Sequence, residues 1–177
     1  MAKTFEEKKF VIPKLKGISE KTIEEHLKLY SGYVKNSNEL LGAEEYNRRF
    51  PFEFNGMRNH ETYFAHFESG PKPLSNESEF VKAGFDLEKF KALALTRGVG
   101  WAIVYYDPIS KQLLHSWVDE QHLSQLQNCM PILALDMWEH SYVADYQPSG
   151  KKNYIEDFFV NLNWQSVEEN FSDALQR

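Results

Sequence analysis

The sequence predicts an α+β protein, a helical hairpin followed by short helices, three strands and closing helices. Three observations lead there. Two stretches before residue 70 carry apolar residues at helical spacing. Gly70-Pro71-Lys72-Pro73 then interrupts the chain, and beyond it lie three short runs rich in β-branched, aromatic and aliphatic residues. With 177 residues, 42% hydrophobic and 15% aromatic, the chain has the means to bury a sizeable core. The proline-rich link divides it into an α-hairpin domain at 1–70 and an α/β domain at 75–177.

Residues 1–17 read as an extended arm broken by Pro13 and Gly17. Ser19 is a candidate N-cap. After it Ile23, His26, Leu27, Tyr30, Tyr33 and Val34 fall on one helical face, and the helix breaks at Gly42. A turn is expected around Pro51. Phe54, Met57, His60, Phe64 and Phe67 then mark a second stripe. Ser75 to Ala83 reads as a short helix, and Asp86 caps another through Leu95. Trp101–Tyr106 and Leu113–Val118 are strands joined by a turn at Asp107–Lys111. Pro131–Leu135 leads a third strand into Asp136. Tyr154–Val160 and Val167–Leu175 close the chain as helices.

Composition narrows the function. A net charge of −6 argues against nucleic acid as a partner, because phosphate binding needs a basic face. The single cysteine, Cys129, excludes an internal disulfide and any thiolate-rich metal site. No apolar run is long enough to span a membrane, and the charged start carries no apolar signal core, so a cytoplasmic protein is expected.

The chemistry concentrates at Asp136-Met137-Trp138-Glu139-His140. A carboxylate at the end of a buried strand needs a positive partner, because burying it alone is very costly. A cation between Asp136 and His140 meets that need. The competing assignment makes Asp136 a helix N-cap with His140 in the first turn. His26 and His60, each on the apolar face of a helix, complete a candidate set of three imidazoles and one carboxylate. Each is alternatively a hydrogen-bonded core histidine. As ligands, such a set suits a borderline transition metal.

Together these residues resemble the iron/manganese superoxide dismutases over residues 10–175. The resemblance is carried by Ile18-Ser19 to His26, Asn59-His60, Gly98-Val99-Gly100-Trp101-Ala102, Asp136-Met137-Trp138-Glu139-His140 and Leu162-Asn163-Trp164. It implies a helical hairpin followed by an α/β domain with a three-stranded antiparallel sheet. It also implies disproportionation of superoxide to dioxygen and hydrogen peroxide at one iron or manganese ion per subunit. His26, His60, Asp136 and His140 match the metal ligands, with solvent as the fifth. Members place a glutamine against that solvent. Manganese-type members carry glycine on the helix of the second ligand and send the glutamine from the segment after the second strand. Gly56 and Gln121 match that arrangement and favour manganese, with His122 as the alternative one position on. Gln121 is then expected to fill the room that Gly56 leaves. Tyr33 resembles the gateway tyrosine, and Trp101 and Trp138 the cavity walls. Glu139 matches a glutamate that accepts a hydrogen bond from the other subunit's ligand histidine, which implies a homodimer or dimer of dimers through Glu139 and His140.

The sequence also departs from the family pattern. The interval from His26 to Tyr33 is one residue shorter than in many members, Leu29 and Tyr30 stand where a gateway histidine is usual, and Val143 replaces a tyrosine. These changes bear on proton supply and leave the ligands intact. Two other readings stay open: a different oxidative chemistry on the same ligands, and a metal-binding protein of this fold with weak or lost dismutase activity.

Overall fold

The computed structural model describes residues 4–43 and 48–177. The Ser19 side chain accepts from the Thr22 N–H (3.2 Å), and α1, Glu20–Leu41, runs from there to Gly42. The second helix, α2, Arg49–Ala65, begins earlier than its apolar stripe. Pro51 lies in its first turn rather than in a turn before it, because an N–H missing there costs no helical hydrogen bond. Helices α1 and α2 pack on each other as the expected hairpin. The third helix, α3, Glu79–Lys82, is shorter than the Ser75–Ala83 expectation, since Ser78 supplies the cap. Asp86 caps α4, Leu87–Ala94, as expected.

Strands β1, Gly100–Asp107, β2, Gln112–Asp119, and β3, Met130–Asp136, form one antiparallel sheet in the order β2-β1-β3. Its centre is β1, buried from Trp101 to Tyr106, which explains that strand's unbroken apolar run. Trp101 pairs with Asp136 across β1 and β3, and the Met137 N–H reaches the Gly100 carbonyl (2.9 Å). The sheet thus delivers Asp136 beside Trp101.

A helix with no separate forecast follows: α5, Glu139–Tyr146. The two assignments for Asp136 are therefore adjacent in the chain. Asp136 ends the strand, and Trp138, in extended conformation, is the N-cap of α5. The Asp136 carboxylate is left free of capping. Helices α6, Lys151–Asn161, and α7, Trp164–Leu175, close the fold, with Asn163 capping α7. Helices α2 and α7 lie on β3, α4 on β1 and β2, and α5 between α1 and α6.

The N-terminal arm is tied across these layers. Asn38 exchanges two hydrogen bonds with the Phe5 backbone (2.7 and 2.9 Å), and Asn161 does the same with Lys16 (both 2.8 Å). Between them Phe10 packs edge-on against Tyr30.

One histidine with no role in the sequence reading turns out to be structural. His66 is fully buried, and its Nε2 accepts from the Ala134 N–H (3.2 Å), so Nδ1 carries the proton and faces the Ser166 hydroxyl (3.1 Å). Burial pushes its pKa down to about 3. The unfolded chain, with the group near its ordinary 6.5, then takes up a proton that the folded chain refuses. This contribution to stability is complete above pH 6.5 and is lost as the pH falls toward 3. His66→Gln should lower stability at neutral pH by about 1–3 kcal/mol through lost hydrogen bonds. It should also make stability fall less steeply between pH 6.5 and 4, as read by urea unfolding across that range. An equally steep fall would exclude His66 as a source of the acid sensitivity.

Candidate metal centre

His26 and His60 enter from α1 and α2, Asp136 from the end of β3, and His140 from the first turn of α5. One donor atom from each lies within 4.8 Å of every other, the one such group of three or more found among the described residues. His26 and His140 place Nε2 3.1 Å from Asp136 Oδ2, and His60 places Nε2 at 3.6 Å. Three of the four are fully buried. The His140 side chain keeps 23% of its exposure, which leaves one side of the cluster within reach of solvent.

The donors are oriented by their surroundings. Asp136 Oδ1 accepts from the Trp138 N–H (2.8 Å), so Oδ2 alone faces the imidazoles. The Asp136 carbonyl accepts from both Ser141 and Tyr154 (3.0 Å each), fixing the backbone behind it. His60 Nδ1 donates to the Gly56 carbonyl (2.6 Å). That bond sets the tautomer and leaves the Nε2 lone pair facing the cluster, buried and without a hydrogen bond.

Electrostatics favour a cation at the centre. Burial pushes the His60 imidazole down to about 3 and lowers that of His26, where Asp136 opposes it, so both rings are uncharged at neutral pH. Burial also pushes the Asp136 carboxyl up, but the His140 and His26 imidazoles outweigh it and hold the group well below the usual carboxylate range. An ionised carboxylate ringed by imidazole nitrogens is the arrangement that a positive ion completes. Donors bonded at about 2.0–2.2 Å to a shared ion stand about 3–4 Å apart, as each imidazole nitrogen does from Asp136 Oδ2. Nitrogen and carboxylate donors without sulfur suit a first-row transition metal.

Comparisons with known proteins point to one family. Residues 77–170 match the family model for the C-terminal domain of iron/manganese superoxide dismutases. The chain is 30% identical to the iron superoxide dismutase of Aquifex aeolicus, covering 92% of this chain and 88% of that protein. It is 29% identical to the iron enzyme of Pyrobaculum aerophilum, over 85% of this chain and 82% of the other. A manganese superoxide dismutase of Haloarcula marismortui is 40% identical over 49% of this chain and 42% of its own. The chain belongs to the iron/manganese superoxide dismutase family.

Its fold is the one the resemblance implied, and around the cluster the structure brings further residues together. Tyr33 lies seven residues beyond His26, two turns along an unbroken helix, so the shortened interval still puts both on one face. The Tyr33 ring stands 5.0 Å from that of His60, centroid to centroid. Gln121 is fully buried. Its Nε2 donates to the Tyr33 hydroxyl (3.0 Å) and its Oε1 accepts from Trp101 Nε1–H (2.7 Å). His122 turns instead onto Phe52, with ring centroids 5.7 Å apart. The backbone selects between the two, since Glu120 adopts a left-handed φ of 52° and Asn59 Nδ2 holds the Gln121 carbonyl (3.2 Å).

Gly56 differs from expectation. A Cβ there would meet two ring carbons of Tyr33 at 2.6 Å, so the room is filled by the Tyr33 ring, and Gln121 reaches only its hydroxyl. Tyr30, on the same face of α1, is buried and donates to Glu61 Oε1 (3.3 Å). Trp138 stacks on His140 as a wall. Tyr63 and Tyr154, bonded through their hydroxyls (3.1 Å) behind the cluster, had no site role in the sequence reading. Only the spacing of Tyr63 three residues after His60 hinted at it.

Proposed function

We propose that His26, His60, Asp136 and His140 hold the ion at which this chain disproportionates superoxide to dioxygen and hydrogen peroxide. The observation that carries the reading is the crowding of three imidazole nitrogens around one ionised carboxylate oxygen in a buried cluster. A bound iron or manganese ion supplies a one-electron trivalent/divalent couple, and this chain's side chains supply what surrounds it. The carboxylate favours the higher charge, and the neutral imidazoles keep the lower one reachable. Burial, with Asp136 and Glu53 nearby, holds the Tyr33 phenol above its ordinary pKa, so it stays protonated. Its oxygen accepts from Gln121, which leaves its own O–H to donate a proton to a small anion at the site. Trp101 and Phe64 keep water from the ligands.

Manganese is the favoured ion, because glycine at 56 and Gln121 reaching in after β2 match the manganese-type pattern. Reconstitution with manganese or iron alone, with superoxide consumption and metal content read on the same samples, tests both points. Activity with manganese is the expected result. A metal-filled manganese form that leaves superoxide untouched overturns the metal preference, and inactivity of both filled forms overturns the function.

The division at residues 70–75 belongs to this reading, as do a cytoplasmic location and the absence of nucleic-acid and membrane partners. No helix of the described residues is long and apolar enough to cross a membrane. The assembly is a homodimer or dimer of dimers. Glu139 is exposed, and its side chain has no hydrogen-bond partner among the described residues, beside the partly exposed His140. A two-fold contact between these residues satisfies each carboxylate with the second copy's imidazole and fixes that ring's tautomer. Glu139→Ala should weaken association and lower metal affinity by about 10–100-fold. A stable, metal-filled, active monomer at micromolar concentration, seen by light scattering, would exclude the dimer.

A further inference from the structure

Three tyrosines lead from the metal cluster to the surface. The Tyr63 ring lies 5.1 Å from that of His26. Its hydroxyl meets that of Tyr154 at 3.1 Å, and since the Tyr154 hydrogen is donated to the Asp136 carbonyl, Tyr63 is the donor between them. The Tyr154 ring stands 5.8 Å from that of Tyr146, which is half-buried at the end of α5. Tyr63 and Tyr154 are fully buried. Neither has a base to take its proton, because one donates to a phenol and the other to a carbonyl. Tyr146 has one: its hydroxyl donates to Asp157 Oδ2 (2.9 Å), and Lys16 pairs with the other oxygen of that carboxylate (3.0 Å).

The surroundings hold this last pair in place. A Cβ at Gly17, where φ is +76°, would fall 2.2 Å from the Tyr146 hydroxyl and 2.3 Å from Asp157 Oδ2. A Cβ at Gly150 would fall 2.7 Å from Tyr146 Cβ. Two close backbone approaches thus form the pocket for Tyr146 and Asp157. Tyr30 also donates to a carboxylate, but the ring contacts between it and His26 run through Phe64, which is far harder to oxidise.

We propose that Tyr63, Tyr154 and Tyr146 form a one-electron relay that carries oxidising equivalents away from the metal ligands. The inference rests on the dismutase reading and goes beyond it. The oxidant is hydrogen peroxide, the product of that reaction. Its reduction to two molecules of water takes two electrons and two solvent protons. A bound ion in its reduced state would supply one electron, and the relay supplies the other. Electron transfer between rings in contact outruns transfer over longer gaps, because tunnelling falls off steeply with distance. The electron hole therefore moves outward and settles on Tyr146, whose O–H bond breaks as its proton passes to Asp157. A thiol or ascorbate in solution returns an electron to Tyr146, and Asp157 returns the proton. Without the relay the oxidation falls on His26, His60 and Trp101, which are buried beyond the reach of such reductants.

Metal content and superoxide consumption of the loaded protein are measured first. A chain that holds no ion or consumes no superoxide overturns the dismutase reading, and the relay with it. A filled, active sample is then mixed with hydrogen peroxide and freeze-quenched for electron paramagnetic resonance. The expected signal is a tyrosyl radical that narrows when the protein carries ring-deuterated tyrosine. It should be lost in both Tyr146→Phe and Tyr154→Phe and form more slowly in Asp157→Asn. Tyr146→Phe should keep its superoxide consumption, yet lose activity to peroxide several-fold faster, with oxidation mapped by mass spectrometry moving to the peptides of His26 and His60. Ascorbate should erase the signal and protect the parent but not the variant. A filled, active parent with no tyrosyl signal, or a Tyr146→Phe protein with the same signal and inactivation rate, overturns the relay alone.

Discussion

His60→Ala is expected to abolish metal retention and superoxide consumption together. Its Nε2 has no other role, since it is buried, makes no hydrogen bond and faces the cluster. Its loss leaves three donors and opens a void beside Trp101, whose ring stands 5.0 Å away. Activity should fall at least about a hundredfold, more than the loss of a supporting hydrogen bond causes. Stability should fall as well, because an ion at about a thousand times its dissociation constant stabilises the folded chain by about 4 kcal/mol, or about 10 °C in Tm for a domain of this size. An ion held by these four residues would join α1 and α2 to β3 and α5, so its loss would affect the whole fold. Elemental analysis and calorimetry on the same preparation check both effects. A His60→Ala protein with one ion per chain would remove His60 from the ligand set.

Gly56→Ala is expected to impair turnover with the metal still in place. Alanine favours a helix over glycine by about 1 kcal/mol, so propensity alone predicts a gain. Sterics oppose it, because the new methyl would overlap the Tyr33 ring at 2.6 Å, and that ring is set between His60 and Phe52. Overpacking of this kind costs about 1–3 kcal/mol, enough to reverse the sign. Relief requires Tyr33 to swing away, which breaks its bond from Gln121. A displaced proton donor should cost about tenfold or more in the superoxide rate. Tyr33→Phe should show a similar loss, while both variants keep their metal. Stopped-flow measurement beside elemental analysis checks this, and an unchanged rate in Gly56→Ala would show that the Tyr33 hydroxyl does not limit turnover.

Two lysines that could draw the superoxide anion in, Lys28 and Lys151, are engaged in this structure. Lys28 pairs with Glu25 at 2.6 Å, and Lys151 donates to the Thr96 carbonyl (2.6 Å) and lies over the Trp117 ring. Exposed pairs of the first kind are weak, so Lys28 retains influence at low ionic strength.

Much of the fold was legible in the chain because helices and strands announce themselves locally. The stripe from Ile23 to Val34, the caps Ser19 and Asp86, and the apolar run into Asp136 each rest on residues within a few positions of one another. The same local signals identified His26 and His60 as histidines on buried faces and Asp136 as a carboxylate in need of a cation. They failed where neighbours gave two readings. Asp136 looked both like a strand end and like a cap, and α5 went unassigned, because its cap is the backbone of Trp138 with no side chain to mark it.

Tertiary structure alone decided which groups meet. His26 and Asp136 are 110 residues apart, and only packing of α1 against α5 and of α2 against β3 brings their atoms to 3.1 Å. His60 and His66 look alike in sequence, each a buried histidine in or beside the same helix. One faces three other donors, and the other is satisfied by Ala134 and Ser166. Gln121 and His122 are neighbours in the chain, and the left-handed turn at Glu120 decides which of them points to Tyr33. Local periodicity sets the face on which a residue lies. What that face meets depends on how distant segments pack, and in this protein that packing builds the metal centre.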